Sequence, residues 1–75
     1  MNEEIKKLVL EITEAAIVKK SDKDINVFVR LYPHVGELDV EVSGETFSTE
    51  YIPRWHDLNH IITELTKIKN KVLEL

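Results

Sequence analysis

The sequence predicts an α+β fold in the order αβββα, a three-stranded antiparallel meander with two helices packed on one of its faces. Apolar residues recur at helical spacing near both ends of the chain and at every second position in the middle. Short turn sequences separate the alternating segments, as is typical of consecutive strands in a meander. With 75 residues, of which 43% are hydrophobic, the chain suits one domain (residues 1–75) around a single small core.

The first helix is predicted from residue 3 to about residue 20. Its apolar stripe recurs at intervals of three and four residues and comprises Ile5, Leu8, Val9, Ile12 and Ala16. Asn2 precedes the helix as a candidate N-cap, and Glu3 and Glu4 suit the positive end of the helix dipole. The polar run Ser21-Asp22-Lys23-Asp24 is expected to end the helix.

Two strands are predicted on either side of a turn at residues 33–36. If Tyr32 pairs with Glu37 across this loop, the apolar residues of the two strands face each other. The resulting pairs are Leu31 with Leu38, Val29 with Val40, and Val27 with Val42. Because a shift by one residue would exchange the two faces of a strand, this register is strongly specified.

A third strand is predicted from residue 46 to about residue 52, with Phe47 and Tyr51 on the apolar side of the sheet. Pro53 is expected to end this strand and to open the last helix. The second apolar stripe comprises Leu58, Ile61, Ile62, Leu65, Ile68, Val72 and Leu75. Trp55, at the junction of strand and helix, is expected to fill the core.

The distribution of charge is more informative than the net charge of −4. Residues 34–66 contain seven acids and one base, Arg54, whereas residues 1–33 contain six of each. Since a nucleic-acid-binding surface needs clustered bases, we expect no direct binding of nucleic acid. Cysteine is absent, which excludes disulfides and zinc–cysteine sites. The acidic N-terminus and the lack of a long apolar run predict a cytoplasmic protein without a membrane segment.

The motifs of enzymes and cofactor sites are not found in the sequence. There is no GxSxG motif, and both glycines belong to predicted turns, so we expect neither an enzyme nor a cofactor. His56, His60 and Glu64 are spaced by four residues on one side of the last helix and are candidate ligands of a divalent metal. They lack the HExxH pattern, and we expect a solvated helix face there rather than a metal site.

The candidate binding surface is the face of the sheet that the helices leave open. By alternation it presents acidic and aromatic side chains, and the predicted site residues are Phe28, Arg30, Tyr32, Glu37, Asp39, Glu41 and Glu50. In the predicted register Arg30 lies opposite Asp39 and is expected to form an exposed ion pair with it. One interpretation is a solvated face whose charges prevent aggregation, and the other is a binding surface for a basic protein.

The αβββα order, with Pro33-His34 before a turn and a hairpin at Ser43-Gly44-Glu45, resembles the double-stranded-RNA-binding domain. That family binds phosphate through lysines at the start of its second helix, where this chain has Pro53-Arg54-Trp55-His56-Asp57, so the resemblance does not extend to RNA binding. In size, charge and element order the chain is also similar to small acidic inhibitors encoded by phages, including anti-CRISPR proteins. That resemblance implies an inhibitor of a nucleic-acid-binding protein.

Three functions remain open at this point. The first is an acidic inhibitor or modulator of a nucleic-acid-binding protein, which the acidic segment favours. The second is a self-associating module, a possible homodimer, which is favoured by apolar residues beyond what a three-stranded sheet covers: Leu10, Ile17, Leu73 and Leu75. The third is a metal-binding regulator that uses His56 and His60.

Overall fold

The computed structural model describes all 75 residues and has the predicted element order. Helix α1 spans Glu3–Lys23, strands β1, β2 and β3 span Val27–Tyr32, Glu37–Val42 and Glu45–Glu50, and helix α2 spans Leu58–Leu73. The strands form one antiparallel sheet in the order β1-β2-β3. The predicted α+β fold is therefore confirmed, with β2 as the central strand.

Helix α1 runs further than predicted. The side-chain oxygen of Asn2 accepts hydrogen bonds from the backbone N–H groups of Glu4 and Ile5, which confirms the predicted cap. Residues 21–23 are polar but include no proline or glycine, so the helix continues through them. It ends where Asp24 adopts a left-handed conformation, with φ of 54°, and donates its N–H to the carbonyl of Lys20.

The predicted register of the first hairpin is confirmed. Tyr32 pairs with Glu37, Val29 with Val40, and every intervening pair follows. The two strands of the second hairpin are joined by Ser43 and Gly44, whose φ values of 51° and 83° are both positive. Two such residues form the type I′ turn, whose twist matches that of the strands it joins.

The core lies between the helices and the face of the sheet that carries Leu38, Val40 and Val42, here called the inner sheet face. The largest fully buried side chains come from both helices and from the central strand: Ile5, Ile12, Leu38, Ile61, Leu65, Val40 and Val72. Val29 is only half-buried and Leu31 is 47% exposed, because β1 is an edge strand with a neighbour on one side only. Neither helix combines the length and the apolar character that crossing a membrane requires.

The prediction that Pro53 opens the last helix is wrong. Strand β3 ends at Glu50, and α2 begins only at Leu58, so an irregular segment of residues 51–57 separates them. Asp57 is the N-cap, and its side-chain oxygen accepts the backbone N–H of His60 at 2.8 Å. An aspartate at this position satisfies a free helix N–H, which proline cannot do, and the helix therefore starts after it.

Candidate functional site

The face opposite the helices, here called the outer sheet face, contains all seven predicted site residues. The pairing of the strands sets them in three rows: Tyr32–Glu37–Glu50, Arg30–Asp39–Ser48 and Phe28–Glu41–Thr46. Each row crosses the sheet from β1 to β3, so aromatic and basic side chains follow one edge and acids fill the centre. The pairing therefore sets the seven residues on one face of the sheet, and their role in binding a partner stays a prediction.

The predicted ion pair between Arg30 and Asp39 is wrong, although their backbones are paired as expected. Nη2 of Arg30 donates to Oε1 of Glu41 at 2.6 Å, because the long guanidinium side chain reaches the diagonal neighbour. This hydrogen bond from the Arg30 side chain to Glu41 raises the pKa of Arg30. Asp39 instead accepts a hydrogen bond from the Ser48 hydroxyl at 2.8 Å.

Glu50 was expected to be an exposed acid of this face, and the structure corrects that expectation. The residue is only 6% exposed. Its carboxylate accepts the backbone N–H of Trp55 at 2.9 Å and that of His56 at 3.3 Å. Burial alone raises the pKa of Glu50, but hydrogen bonds from the backbone of residues 54–56 outweigh it and hold the pKa below its usual value. Glu50 therefore fixes the segment that follows β3 and is not free to meet a partner.

The remaining site residues are accessible. Phe28 is 54% exposed, and Glu37 is exposed without an ion-pair or hydrogen-bond partner. Tyr32 is half-buried and makes an edge contact with the ring of His34, at 6.4 Å between centroids. Counting Glu50, the outer sheet face has four carboxylates against the single guanidinium of Arg30. Its accessible part is thus a strip of acids beside exposed aromatic surface.

Trp55 is the functional candidate that sequence reasoning missed. It was expected in the core, but it is 74% exposed. The reason is the late start of α2, which leaves Trp55 in the irregular segment that the Glu50 carboxylate holds. The signal that could have placed it was Asp57, an N-cap residue directly before the apolar stripe.

Trp55 borders a cleft between β3 and the first turns of α2, here called the Trp55 cleft. Its volume is about 480 Å³, and its lining consists of Glu37, Ser48, Thr49, Glu50, Trp55, His56, His60 and Glu64. Three of these residues, Glu37, Ser48 and Glu50, also belong to the outer sheet face. The cleft therefore continues that face around the edge of the sheet.

The candidate metal ligands lie in this cleft without forming a metal site. The rings of His56 and His60 stack, with centroids 4.2 Å apart and planes at 20°. Nδ1 of His56 lies 3.5 Å from the Glu50 carboxylate, and Glu64 contacts Lys67 instead of a histidine. No group of three or more histidine, aspartate or glutamate side chains is placed to hold a metal ion.

Comparisons of the chain with protein-family models, with curated proteins and with solved structures gave no match.

Proposed function

We propose that this protein is a non-enzymatic interaction protein that binds a basic protein surface through the outer sheet face. The observation that carries the proposal is the exposure of Phe28 next to a strip of carboxylates that have few basic partners. Complementary charge raises association rates, and an aromatic anchor supplies the burial that charge alone lacks. The combination is typical of a docking surface more than of a merely solvated sheet.

The partner that suits this face best is a nucleic-acid-binding protein. Glu37, Asp39 and Glu41 occupy alternate positions of β2, so the strand rise separates neighbouring carboxylates by about 6.5–7 Å. Phosphates along a nucleic-acid strand are spaced on a similar scale. The axial rise is only about 3.4 Å per nucleotide, but the backbone winds around the axis, so consecutive phosphates lie further apart than this rise. We therefore favour an inhibitor or modulator that occupies a phosphate-binding groove, in a cytoplasmic setting and of the kind that phages encode.

The proposal is tested by comparing two variants with the same loss of charge. In the first, the strip is neutralised by Glu37→Gln, Asp39→Asn and Glu41→Gln. In the second, three exposed acids outside the face are neutralised: Glu14→Gln, Asp22→Asn and Glu74→Gln. Binding to a nucleic-acid-binding protein identified by cross-linking is then measured across a salt series. We expect the first variant to lose affinity and salt dependence and the second to keep both.

Two results would contradict this proposal. If the two triple variants lost the same affinity for the partner, only the net charge of the protein would matter and no particular face would be the binding surface. Unchanged binding of the first variant would leave the acids of the outer sheet face as solvating groups. The variant Phe28→Ala separates the apolar anchor from the charge, and we expect it to increase the dissociation rate while the salt dependence stays the same.

A homodimer is the second candidate function, because large apolar side chains remain exposed on the helices. Leu10 and Ile17 of α1 and Leu73 of α2 are all more than half exposed. Leu75, which was expected to be part of this surplus, packs against the core instead. Sedimentation at high micromolar concentration tests the candidate, since a single species near the chain mass of 8.7 kDa would exclude a stable dimer.

A further inference from the structure

The charged side chains that line the Trp55 cleft are acidic and not basic. Three carboxylates line it, those of Glu37, Glu50 and Glu64, and no lysine or arginine does. Glu50 is occupied by backbone N–H groups, whereas Glu37 has no partner and Glu64 has only a 3.3 Å contact with Lys67. Glu37 is therefore free to meet a cation, and Glu64 can do so by exchanging an exposed lysine. The volume of the cleft, about 480 Å³, lies within the usual range for ligand sites.

The aromatic wall of the cleft suits one kind of cation in particular. Cζ of Arg54 lies 5.3 Å from the centroid of the Trp55 ring, so the indole already makes a cation–π contact with a guanidinium of its own chain. Arg54 does not line the cleft, and neither does any other arginine or lysine of the chain. A planar guanidinium stacks on an aromatic ring and donates to carboxylates at the same time, which a compact ammonium group does less well.

The backbone that carries Trp55 is also held in place before any ligand binds. The carboxylate of Glu50, itself buried, accepts the N–H groups of Trp55 and His56 and so fixes the backbone that carries the indole. In the first turn of α2, the ring of His60 stacks on that of His56. Fixing a binding group in advance lowers the entropy lost on binding.

We propose that the Trp55 cleft binds one arginine side chain, which the basic partner of the outer sheet face presents. That the arginine belongs to the basic partner rests on the proposed function, whereas the binding of a guanidinium in the cleft does not. The guanidinium stacks on the indole of Trp55 and donates hydrogen bonds to the carboxylates of Glu37 and Glu64. The cleft thereby adds a specific anchor at one end of a surface that otherwise attracts its partner by charge.

The experiment uses Trp55, the only tryptophan of the chain, as its reporter. The intrinsic fluorescence is titrated with acetyl-Gly-Arg-Gly-amide and with the same peptide carrying citrulline, whose side chain is neutral and nearly isosteric. We expect saturable binding of the arginine peptide, with Kd on the order of millimolar, and at least about tenfold weaker binding of the citrulline peptide. Saturable binding of both peptides with equal affinity, or of neither, would overturn the assignment.

A pair of variants locates the binding. Glu64→Gln removes an acid of the cleft that is not part of the outer sheet face, and we expect it to weaken binding of the arginine peptide several-fold. Glu45→Gln removes an exposed acid of β3 that does not line the cleft and is expected to leave binding unchanged. Equal weakening in both variants would refute the cleft as the site.

The two proposals fail in different ways. If the arginine peptide does not bind, but neutralising the strip on β2 still abolishes capture of the partner, the cleft assignment is wrong and the proposed function stands. If the peptide binds and weakens with Glu64→Gln, while neutralising Asp39 and Glu41, the strip acids that do not line the cleft, has no effect on the partner, the cleft is a guanidinium site and the outer sheet face is not a docking surface.

Discussion

Gly36 and Gly44 offer a matched pair of substitutions that separates backbone strain from steric overlap. Both residues have positive φ, 66° and 83°, in the two hairpin turns. A Cβ added at Gly36 would lie 2.7 Å from Cβ of Ile52, whereas a Cβ added at Gly44 meets nothing within 4 Å. We predict that Gly36→Ala destabilises the protein clearly more than Gly44→Ala does.

The expected magnitudes follow from the two contributions. The left-handed conformation costs an alanine about 1–2 kcal/mol at either position. At Gly36 the overlap adds roughly 1–3 kcal/mol, the usual cost of forcing extra volume into a packed site. The sum of about 2–5 kcal/mol is a large part of the roughly 4–11 kcal/mol expected for a chain of this length. Relieving the overlap would require the backbone to move, because the atom that overlaps is Cβ of Ile52. Such a movement would disturb the hydrogen bonds that the carbonyl of Gly36 accepts from the N–H groups of Tyr51 and Ile52.

Urea unfolding measured by circular dichroism and by Trp55 fluorescence gives the free energy of unfolding of both variants and of the wild type. The carbonyl of Gly36 also holds the backbone of Tyr51 and Ile52, which lead to Trp55, so Gly36→Ala is expected to change the Trp55 emission of the folded state as well. Equal losses of stability in Gly36→Ala and Gly44→Ala would refute the reasoning, since they would show that Ile52 is not in contact with Gly36.

Three further predictions concern the core, the buried carboxylate and the charge of the surface. Val40 is fully buried at the centre of the sheet, so Val40→Asp is expected to abolish cooperative unfolding, and a cooperatively melting variant would refute the assigned facing of β2. The pKa of Glu50 is lower in the folded state than the ordinary value of 4.5, so its stabilising contribution is present above that value and is lost as the pH falls through the folded pKa. On acidification in that range Glu50→Gln should therefore lose less stability than the wild type, and equal losses in urea midpoints would contradict this. Fluorescence anisotropy with labelled DNA and RNA should show no binding at physiological salt, because the outer sheet face repels phosphate, and saturable binding that weakens with added salt would argue against the assigned charge distribution.

The sequence by itself determined the elements that depend on periodicity and on short loops. The alternation on both sides of residues 33–36 fixed the pairing of β1 with β2, because any shift by one residue would have buried Glu37, Asp39 and Glu41. That pairing in turn placed Phe28 and the acids of β2 on a common face. Such local patterns are sufficient because neighbouring strands joined by a tight turn have few other ways to cover their apolar sides.

Only the tertiary structure decided the environment of the charged and aromatic side chains. Glu50 has the alternation of an exposed residue, but the segment after β3 folds back and its backbone N–H groups surround the carboxylate. Trp55 is exposed for the same reason, and Arg30 pairs with Glu41 because a long side chain reaches past its direct neighbour. Each outcome depends on groups that an irregular segment or a flexible side chain brings together, and no periodic pattern in the sequence encodes those contacts.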